Sequence, residues 1–411
     1  MKPTVERYRP IVGDEIVDEI YEIAHPLRNK HIVHLNSTYQ GGGVAEILQT
    51  LVALMNDVGI RTGWRILHGT PDFFEITKKF HNALQGNDIN LTDKKKKIYE
   101  ETNERFSSFT HLDHDLVFVH DPQPLPLIKF YAKKQPWVWR LHIDISKLNN
   151  GGLDLLNYLK SFILRYDAMI VSMEKYKKDM PIRQEVIPPS IDPLSSKNEK
   201  LSSQTIDRYL NKFGVDRDKP FITQVSRFDK FKDPEGVLRC YQKVKEKVDC
   251  RLVMIGNMAS DDPEGESIYR RMITQYGDDP DVIFITATNN VLVNALQTEA
   301  ACVIQKSLKE GFALTVSEAL WKKTPVVASN VGGIPAQIID GVNGYLVNPK
   351  DINMCADRIV KIMQNEKMAA EMGEKGHEIV KKNFLITRHL KDYLLLFGQL
   401  LQTKQCDNTP Q

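Results

Sequence analysis

The chain has 411 residues, 42% of them hydrophobic and 26% charged, with a formal net charge of +2. That length implies two domains with separate cores, and the near-neutral balance gives no support to nucleic acid as a main partner. The five cysteines are scattered, odd in number and without a C-x-x-C pair, which reads as reduced thiols rather than a disulfide framework.

The first ten residues are charged and lack an apolar h-region, and no run reaches membrane-spanning length, so a cytoplasmic protein without membrane association is expected. Beyond an N-terminal arm running to Lys30, strand and helix patterns alternate, as in a parallel sheet covered on both faces. His31–Asn36 is a short apolar strand leading to Gly41-Gly42-Gly43. Val44–Val58 then places Ile47, Leu48, Leu51, Val52 and Met55 at helical spacing. Further strands are predicted at Arg61–Leu67, Leu116–His120, Trp137–Ile143, Ala168–Ser172 and Glu185–Ile187, with helices between them, notably Leu153–Tyr166. The Lys94–Lys97 run reads as a solvated helix face.

Pro188-Pro189-Ser190 breaks the pattern, a Ser/Lys/Asn-rich stretch Ser195–Gln204 follows, and a short helix Ile206–Phe213 precedes a new start. Second-half strands are predicted at Phe221–Val225, Arg251–Ile255, Val282–Thr286, Ala301–Gln305 and Pro325–Ala328. The helices lie at Pro234–Lys247, Ser267–Tyr276, Val291–Ala300, Thr315–Trp321 and Met354–Gln364. A long amphipathic helix, Ile386–Gln402, closes the chain. The expected domains are 1–213, 214–385 and a returning C-terminal helix within 386–411. Two doubly wound Rossmann-like α/β halves of this kind take ligands in a cleft at the C-terminal ends of their strands.

The chemistry-bearing residues fall at those strand ends. Glu310-Gly-Phe-Ala-Leu-Thr-Val-Ser-Glu318 runs from a strand through a glycine turn into a helix start, where backbone N–H groups and the dipole favour an anion. Were the residues between them mostly helical, the two carboxylates would lie roughly 10–12 Å apart along the axis, a span suited to an elongated, phosphate-containing, hydroxyl-rich ligand. Gly41-Gly42-Gly43 lets backbone amides approach phosphate, yet it is not G-x-G-x-x-G and no acidic residue follows at a strand end, which disfavours a dinucleotide-dependent dehydrogenase. Arg227 and Lys232, just past Phe221–Val225, suit a diphosphate, one by a planar fork and the other as a point charge. His120-Asp121-Pro-Gln123 and Arg140-Leu-His142-Ile-Asp144 end first-half strands and suit sugar hydroxyls. His111, Asp113, His114 and Asp115 supply no clean closed metal site, and no Gly-x-Ser-x-Gly elbow supports a Ser-His-Asp triad.

Taken together, Val225-Ser-Arg227…Lys232, Glu310-Gly-Phe-Ala…Glu318-Ala-Leu, Pro325-Val-Val-Ala-Ser…Gly332-Gly333-Ile-Pro and Asp340-Gly-Val-Asn-Gly344 resemble the retaining nucleotide-sugar glycosyltransferases of GT-B fold, in the family-4 group. His31-Ile-Val-His-Leu-Asn…Glu46, His120-Asp-Pro-Gln123, Trp139-Arg-Leu-His142-Ile-Asp144 and the Tyr8-Arg-Pro-Ile arm are similar to its trehalose synthase and trehalose phosphorylase branch. The resemblance implies transfer of glucose from an NDP-glucose to free glucose, giving α,α-trehalose with retention, by a homodimer that requires no cofactor. Any Mg²⁺ effect would be secondary stimulation. It implies that Arg227 and Lys232 bind the diphosphate. Glu310 and the amides of Gly311, Phe312, Ala313 and Leu314, with Thr315, would hold the glucose and its phosphate. Glu318 would bind the ribose, with Thr286 at the nucleotide end, Gly42 and Gly43 near the phosphate, and His142 facing the sugar beside the reacting carbon. His120, Asp121, Gln123 and Asp144 would face the acceptor. One departure is Ala313, where many members carry glycine. The rival expectations are a retaining trehalose phosphorylase, a nucleotide-sugar epimerase on the same two-domain plan and a non-catalytic sensor.

Overall fold

A computed structural model describes residues 3–40, 42–256 and 263–407, with side chains described outside 263–264 and 404–407. Two compact units result, one formed by Met1–Ser190 with Ile386–Gln411, the other by Ile191–Leu385.

In the first unit the order is α1 (Arg9–Val12), α2 (Asp14–Ala24), β1 (His31–Asn36), α3 (Gly43–Asp57), β2 (Arg61–Ile66), α4 (Pro71–Leu84), α5 (Asp93–Ser107), β3 (Leu116–His120), β4 (Trp137–Arg140), α6 (Asn150–Ile163), β5 (Ala168–Val171) and β6 (Arg183–Val186). Local chemistry sets the helix starts: Thr70 accepts from the Phe73 amide with Pro71 in the first turn of α4, Thr92 caps α5, and Asn149 caps α6 through Gly152. The expected N-terminal arm is helical, because Val17, Ile20 and Ala24 line one face of α2. The strands form a wholly parallel sheet in the order β2-β1-β3-β4-β5-β6.

Strand alternation gives this sheet two unlike faces. Val33, Leu35, Val117, Val119, Trp137, Trp139, Met169 and Val171 join an apolar core with residues of α4, α5 and α6. The register pairs His34 with Phe118, Phe118 with Val138, and His120 with Arg140, so a second set of residues occupies the opposite face. Its polar and aromatic members His34, Phe118, His120 and Arg140 are buried all the same.

The second unit runs α7 (Ser203–Lys212), β7 (Phe221–Val225), α8 (Pro234–Lys245), β8 (Arg251–Gly256), α9 (Pro263–Tyr276), β9 (Val282–Thr286), α10 (Asn290–Glu299), β10 (Cys302–Gln305), α11 (Leu314–Trp321), β11 (Val326–Ser329), β12 (Tyr345–Val347), α12 (Ile352–Met363) and α13 (Glu366–Asn383). Its parallel sheet has the order β12-β11-β10-β7-β8-β9, a doubly wound pattern whose order reverses beside β7. The chain then returns to the first unit as α14 (Ile386–Asp407), which packs on α2 and α3. Phe118 lies 4.9 Å from Tyr393 and 5.8 Å from Phe397, ring to ring, so α14 covers the polar face of the first sheet.

The first boundary differs from the expected one. Residues 191–213 belong with the second unit, not the first. Ile191 bridges Leu385, the Asn294 amide donates to the Ser196 and Glu199 carbonyls, and α7 packs against α10. The backbone of the polar stretch that suggested a boundary thus accepts hydrogen bonds that fasten the segment down. Four cysteines, Cys240, Cys250, Cys302 and Cys355, are buried free thiols, and the Cys406 side chain lies outside the described residues. Among the described residues no helix is long and apolar enough to cross a membrane.

Candidate active site

In the second unit the site grows from the ends of β7 and β10. After β7, Asp229 accepts the amides of Phe231 at 2.8 Å and Lys232 at 3.3 Å, which ties the 3-10 turn Lys230–Lys232. The Lys232 ammonium reaches Oε2 of Glu310, where Ser307 Oγ at 3.2 Å and Gln305 Nε2 at 3.3 Å also donate. Thr315 Oγ1 donates to Gln305 Oε1 at 3.2 Å, so the second residue of α11 orients the glutamine that holds the carboxylate. The geometry therefore joins Lys232, Glu310 and Thr315 in one network. Arg227 is 58% exposed in its side chain and pairs with Asp229 at 3.2 Å, outside that network. Lys306 is 1% exposed and bonds to Asp233 and the Pro349 carbonyl. It is a structural cation that fixes Asp233, whose carboxylate caps α8 through Gly236 at 3.1 Å.

Glu310 is held from behind by glycines. A Cβ on Gly332 would lie 1.7 Å from the Glu310 carbonyl oxygen, and one on Gly333 would meet the Gly311 oxygen at 2.8 Å. The Gly333 amide donates to the Gly311 carbonyl at 3.0 Å. Buried Gln337 donates to the Phe312 carbonyl at 2.5 Å and receives Ser317 Oγ at 2.5 Å, closing the loop onto α11. Residues 310–313 are a turn and only Leu314–Trp321 is helical, so the helical ruler applies from Leu314 to Glu318 alone. Ala313 caps that helix at φ 69°, a left-handed conformation that glycine adopts most readily.

Glu318, one turn further along, is 2% exposed. Its Oε1 lies 3.4 Å from Lys197, and its Oε2 has no hydrogen-bond partner among the described residues. Lys322 binds Asn198 Oδ1 at 2.9 Å, Gln297 Oε1 at 3.1 Å and the Glu318 carbonyl at 3.1 Å. Burial pushes its ammonium down to about 7, against the opposing pull of the Glu318 carboxylate. Thr286 is exposed at the end of β9, opposite Gly256, with no contact to the Glu310 network. Lys197 and Lys322 escaped the sequence reading: the first lay in the Ser/Lys/Asn-rich boundary stretch, and the second carries no signal beyond its spacing four residues after Glu318.

The first unit carries the other half of the predicted residues. Gly42 caps α3 at φ 84° and Gly43 opens the helix, while Gly41 lies outside the described residues. His120, expected at the acceptor, is 1% exposed, with Nε2 3.0 Å from His34 Nδ1 and Nδ1 3.1 Å from His142 Nε2. Both of its ring nitrogens are engaged inside the protein. His142 also receives Arg140 Nε on its Nδ1 at 3.4 Å. Burial, with the Arg140 charge second, holds the His142 imidazole well below its ordinary range, and burial pushes His34 down to about 3. Asp121 stands at φ 63° and accepts the His142 amide at 2.9 Å; burial lifts its carboxyl to about 6. The Gln123 carbonyl accepts from Asn103 at 3.1 Å, and its Oε1 is buried without a partner among the described residues. Asp144 accepts the Ser146 amide at 2.7 Å, a turn contact that keeps the carboxylate near the end of β4. No group of three or more His, Cys, Asp or Glu among the described residues is placed to hold a metal ion.

Residues 34–178 match the family model described as trehalose synthase, N-terminal domain, and residues 205–379 match glycosyl transferases group 1. The chain is 46% identical over 402 residues to the trehalose synthase of Thermococcus litoralis, covering 96% of each. It is 28% identical over 423 residues to the trehalose phosphorylase of Pleurotus pulmonarius, covering 90% of this chain and 57% of that one. Among solved structures, sucrose-phosphate synthase from Thermosynechococcus elongatus superposes with a TM-score of 0.73 at 17% identity, over 91% of this chain and 100% of that one.

Proposed function

The chain belongs to the trehalose synthase family of glycosyltransferases, and from that membership we propose that it transfers glucose from an NDP-glucose to free glucose, reversibly forming α,α-trehalose with retention. It is a hexosyltransferase of GT-B fold. The observation that carries the finer reading is the braced Lys232–Glu310 pair at the entry to α11, with Arg227 projecting beyond the same strand end. A lysine, an arginine and a helix N-terminus together suit two phosphates. The buried, unpaired Oε2 of Glu318 suits a ribose hydroxyl, which supports a nucleotide donor over inorganic phosphate.

In the step we infer, the bond between the glucose C1 and the diphosphate oxygen breaks as C1 bonds to the acceptor oxygen on the same face. The acceptor hydroxyl proton passes to the departing diphosphate, whose growing charge Lys232, Arg227 and the α11 N-terminus stabilise. Neither glutamate needs to form a covalent bond. Glu310 holds the hexose and Glu318 the ribose. No metal takes part in this reading, and any Mg²⁺ effect would be secondary.

The test is an activity panel in which ADP-, UDP- and GDP-glucose are each supplied with glucose or glucose 6-phosphate and the products are resolved by NMR. α,α-Trehalose from at least one donor with free glucose is expected. Absence of trehalose with every donor overturns the proposal. Phosphorolysis of trehalose by inorganic phosphate without any nucleotide would move the chain to the phosphorylase reading.

A further inference from the structure

The polar face of the first sheet carries a file of side chains that the reaction above does not use. Arg140 Nε contacts His142 Nδ1 at 3.4 Å, His142 Nε2 contacts His120 Nδ1 at 3.1 Å, and His120 Nε2 contacts His34 Nδ1 at 3.0 Å. The file crosses strands, from β4 and its C-terminal extension through β3 to β1, as the register allows.

Its direction follows from one residue. A guanidinium only donates, whereas a neutral imidazole has one donor and one acceptor. Arg140 therefore makes His142 Nδ1 an acceptor and puts the His142 proton on Nε2. That proton makes His120 Nδ1 an acceptor, which puts the His120 proton on Nε2, and the same logic places the His34 proton on Nε2. The last N–H, His34 Nε2, is buried without a partner among the described residues. Arg140 is itself anchored by the Ile187 carbonyl at 2.8 Å, and its guanidinium carbon lies 5.5 Å from the centre of the Tyr393 ring.

The surroundings keep the file neutral. From α14 come Arg388, paired with Asp392 at 2.7 Å, then His389, bonded to Ser190 at 2.8 Å, and Tyr393, whose ring stacks 6.4 Å from His34. From the loop after β3 comes Asp121, which takes the His142 backbone amide. Protonating any member would turn an acceptor into a donor facing another donor, within reach of two arginines. Burial and these like charges also push His120 and His389 well below the usual imidazole range.

We propose that Arg140, His120 and His34 form a one-way hydrogen-bond relay that fixes the tautomer and ring orientation of His142, and that they are positioning residues for sugar transfer. The catalytic part rests on the reading of His142 as the residue beside the sugar; the relay itself does not. Held this way, His142 has no ring nitrogen left to accept a proton from the acceptor hydroxyl, in keeping with a leaving diphosphate that takes it.

Two measurements test this on the full chain. Side-chain nitrogen NMR of the labelled protein is expected to show His34, His120 and His142 as neutral Nε2–H tautomers at pH 6. An Nδ1–H tautomer or a cationic ring at any of the three overturns the relay whatever the enzyme's substrate proves to be. In kinetics, His120→Leu is expected to lower kcat by about tenfold or more, with KM for the nucleotide-sugar unchanged. His120→Gln, which keeps one donor and one acceptor, is expected to restore most of that loss. Equal kcat for both variants, or a loss confined to thermal stability, overturns the positioning role. Should the wild type transfer glucose from no donor, the proposed function falls, and the NMR result still decides the relay.

Discussion

At the residue scale, position in the network separates the roles of four charged side chains. Lys232 is braced against Glu310, and in the proposed reaction it would face the charge that develops as the diphosphate leaves, so its effect would belong to the transition state. Lys232→Ala is expected to lower kcat on the order of 10²–10³-fold. Glu318→Gln is expected to weaken nucleotide binding roughly tenfold with little change in kcat, since it removes a charged hydrogen-bond acceptor from the ground state. Steady-state kinetics with calorimetric titration of the nucleotide separates the two, and equal kcat losses with unchanged donor affinity would sink the assignment. Ala313 shows what one methyl costs. A left-handed backbone disfavours an L-residue by roughly 1–2 kcal/mol, and glycine gives back about 0.5–1 kcal/mol in unfolded-state entropy. Ala313→Gly is thus expected to stabilise the protein by about 0.5–1 kcal/mol, and a lower unfolding midpoint would contradict the left-handed geometry. Lys322 supplies a pH signature. Its folded value is depressed to about 7 from 10.5, so between those pH values the unfolded chain binds more protons and stability rises with pH. The midpoint difference, wild type minus Lys322→Met, is expected to climb from pH 7 towards 10.5, and a flat difference refutes the buried ammonium.

At the element scale, interlocking turns do more to shape the site than any single helix. The Glu310–Ala313 turn sits against Gly332 and Gly333 so closely that a Cβ at 332 would fall 1.7 Å from a backbone oxygen, at φ 54°. Gly332→Ala must displace the Glu310 backbone, and a misplacement of about 1 Å is expected to cost on the order of 10²-fold in kcat. Unchanged kcat would mean that the turn can shift without disturbing the Lys232–Glu310 pair. Strong periodicity made most elements legible beforehand. All strands but β12 followed from short apolar runs, the helix 290–299 from helical spacing, and the Glu310 turn from its glycine. The helices of the N-terminal arm, β12 and α13 escaped. β12 has only three residues, and α13 carries an interior Gly373 and Gly376 that weaken its helical signal. The Lys232–Glu310 contact was foreshadowed because both residues stand just past strand ends in local motifs. The histidine file was not, since its order depends on cross-strand register, which no single strand encodes. His120 was accordingly expected to face the acceptor. Its alternation with Phe118, matched by Arg140 after Val138, was the one available hint that a buried polar face existed.

At the scale of the whole molecule, each unit closes on itself. The second unit begins and ends at neighbouring points, with Ile191 bridging Leu385 and its amide donating to Phe384 at 2.8 Å. The first unit also meets itself across the gap left by 191–385. Ser190 bonds His389 at 2.8 Å, and Arg388 donates to the Pro188 and Pro189 carbonyls at 2.8 and 3.3 Å. Residues 191–385 expressed alone are therefore expected to fold cooperatively and to bind a nucleoside diphosphate, because Lys232, Glu310 and Glu318 all lie inside them. Residues 1–190 alone are expected to fail. Without α14 the sheet would expose His34, Phe118, His120 and Arg140 and lose Leu390, Tyr393, Leu394 and Phe397, whose burial contributes roughly 1.5–3 kcal/mol per side chain. Joining Ser190 directly to Ile386 restores that cover, so the shortened chain is expected to give a cooperative thermal transition and the same histidine tautomers as the intact protein. Failure of the 191–385 fragment to fold, with success of 1–190 alone, would show that the units do not carry their stability where these contacts put it.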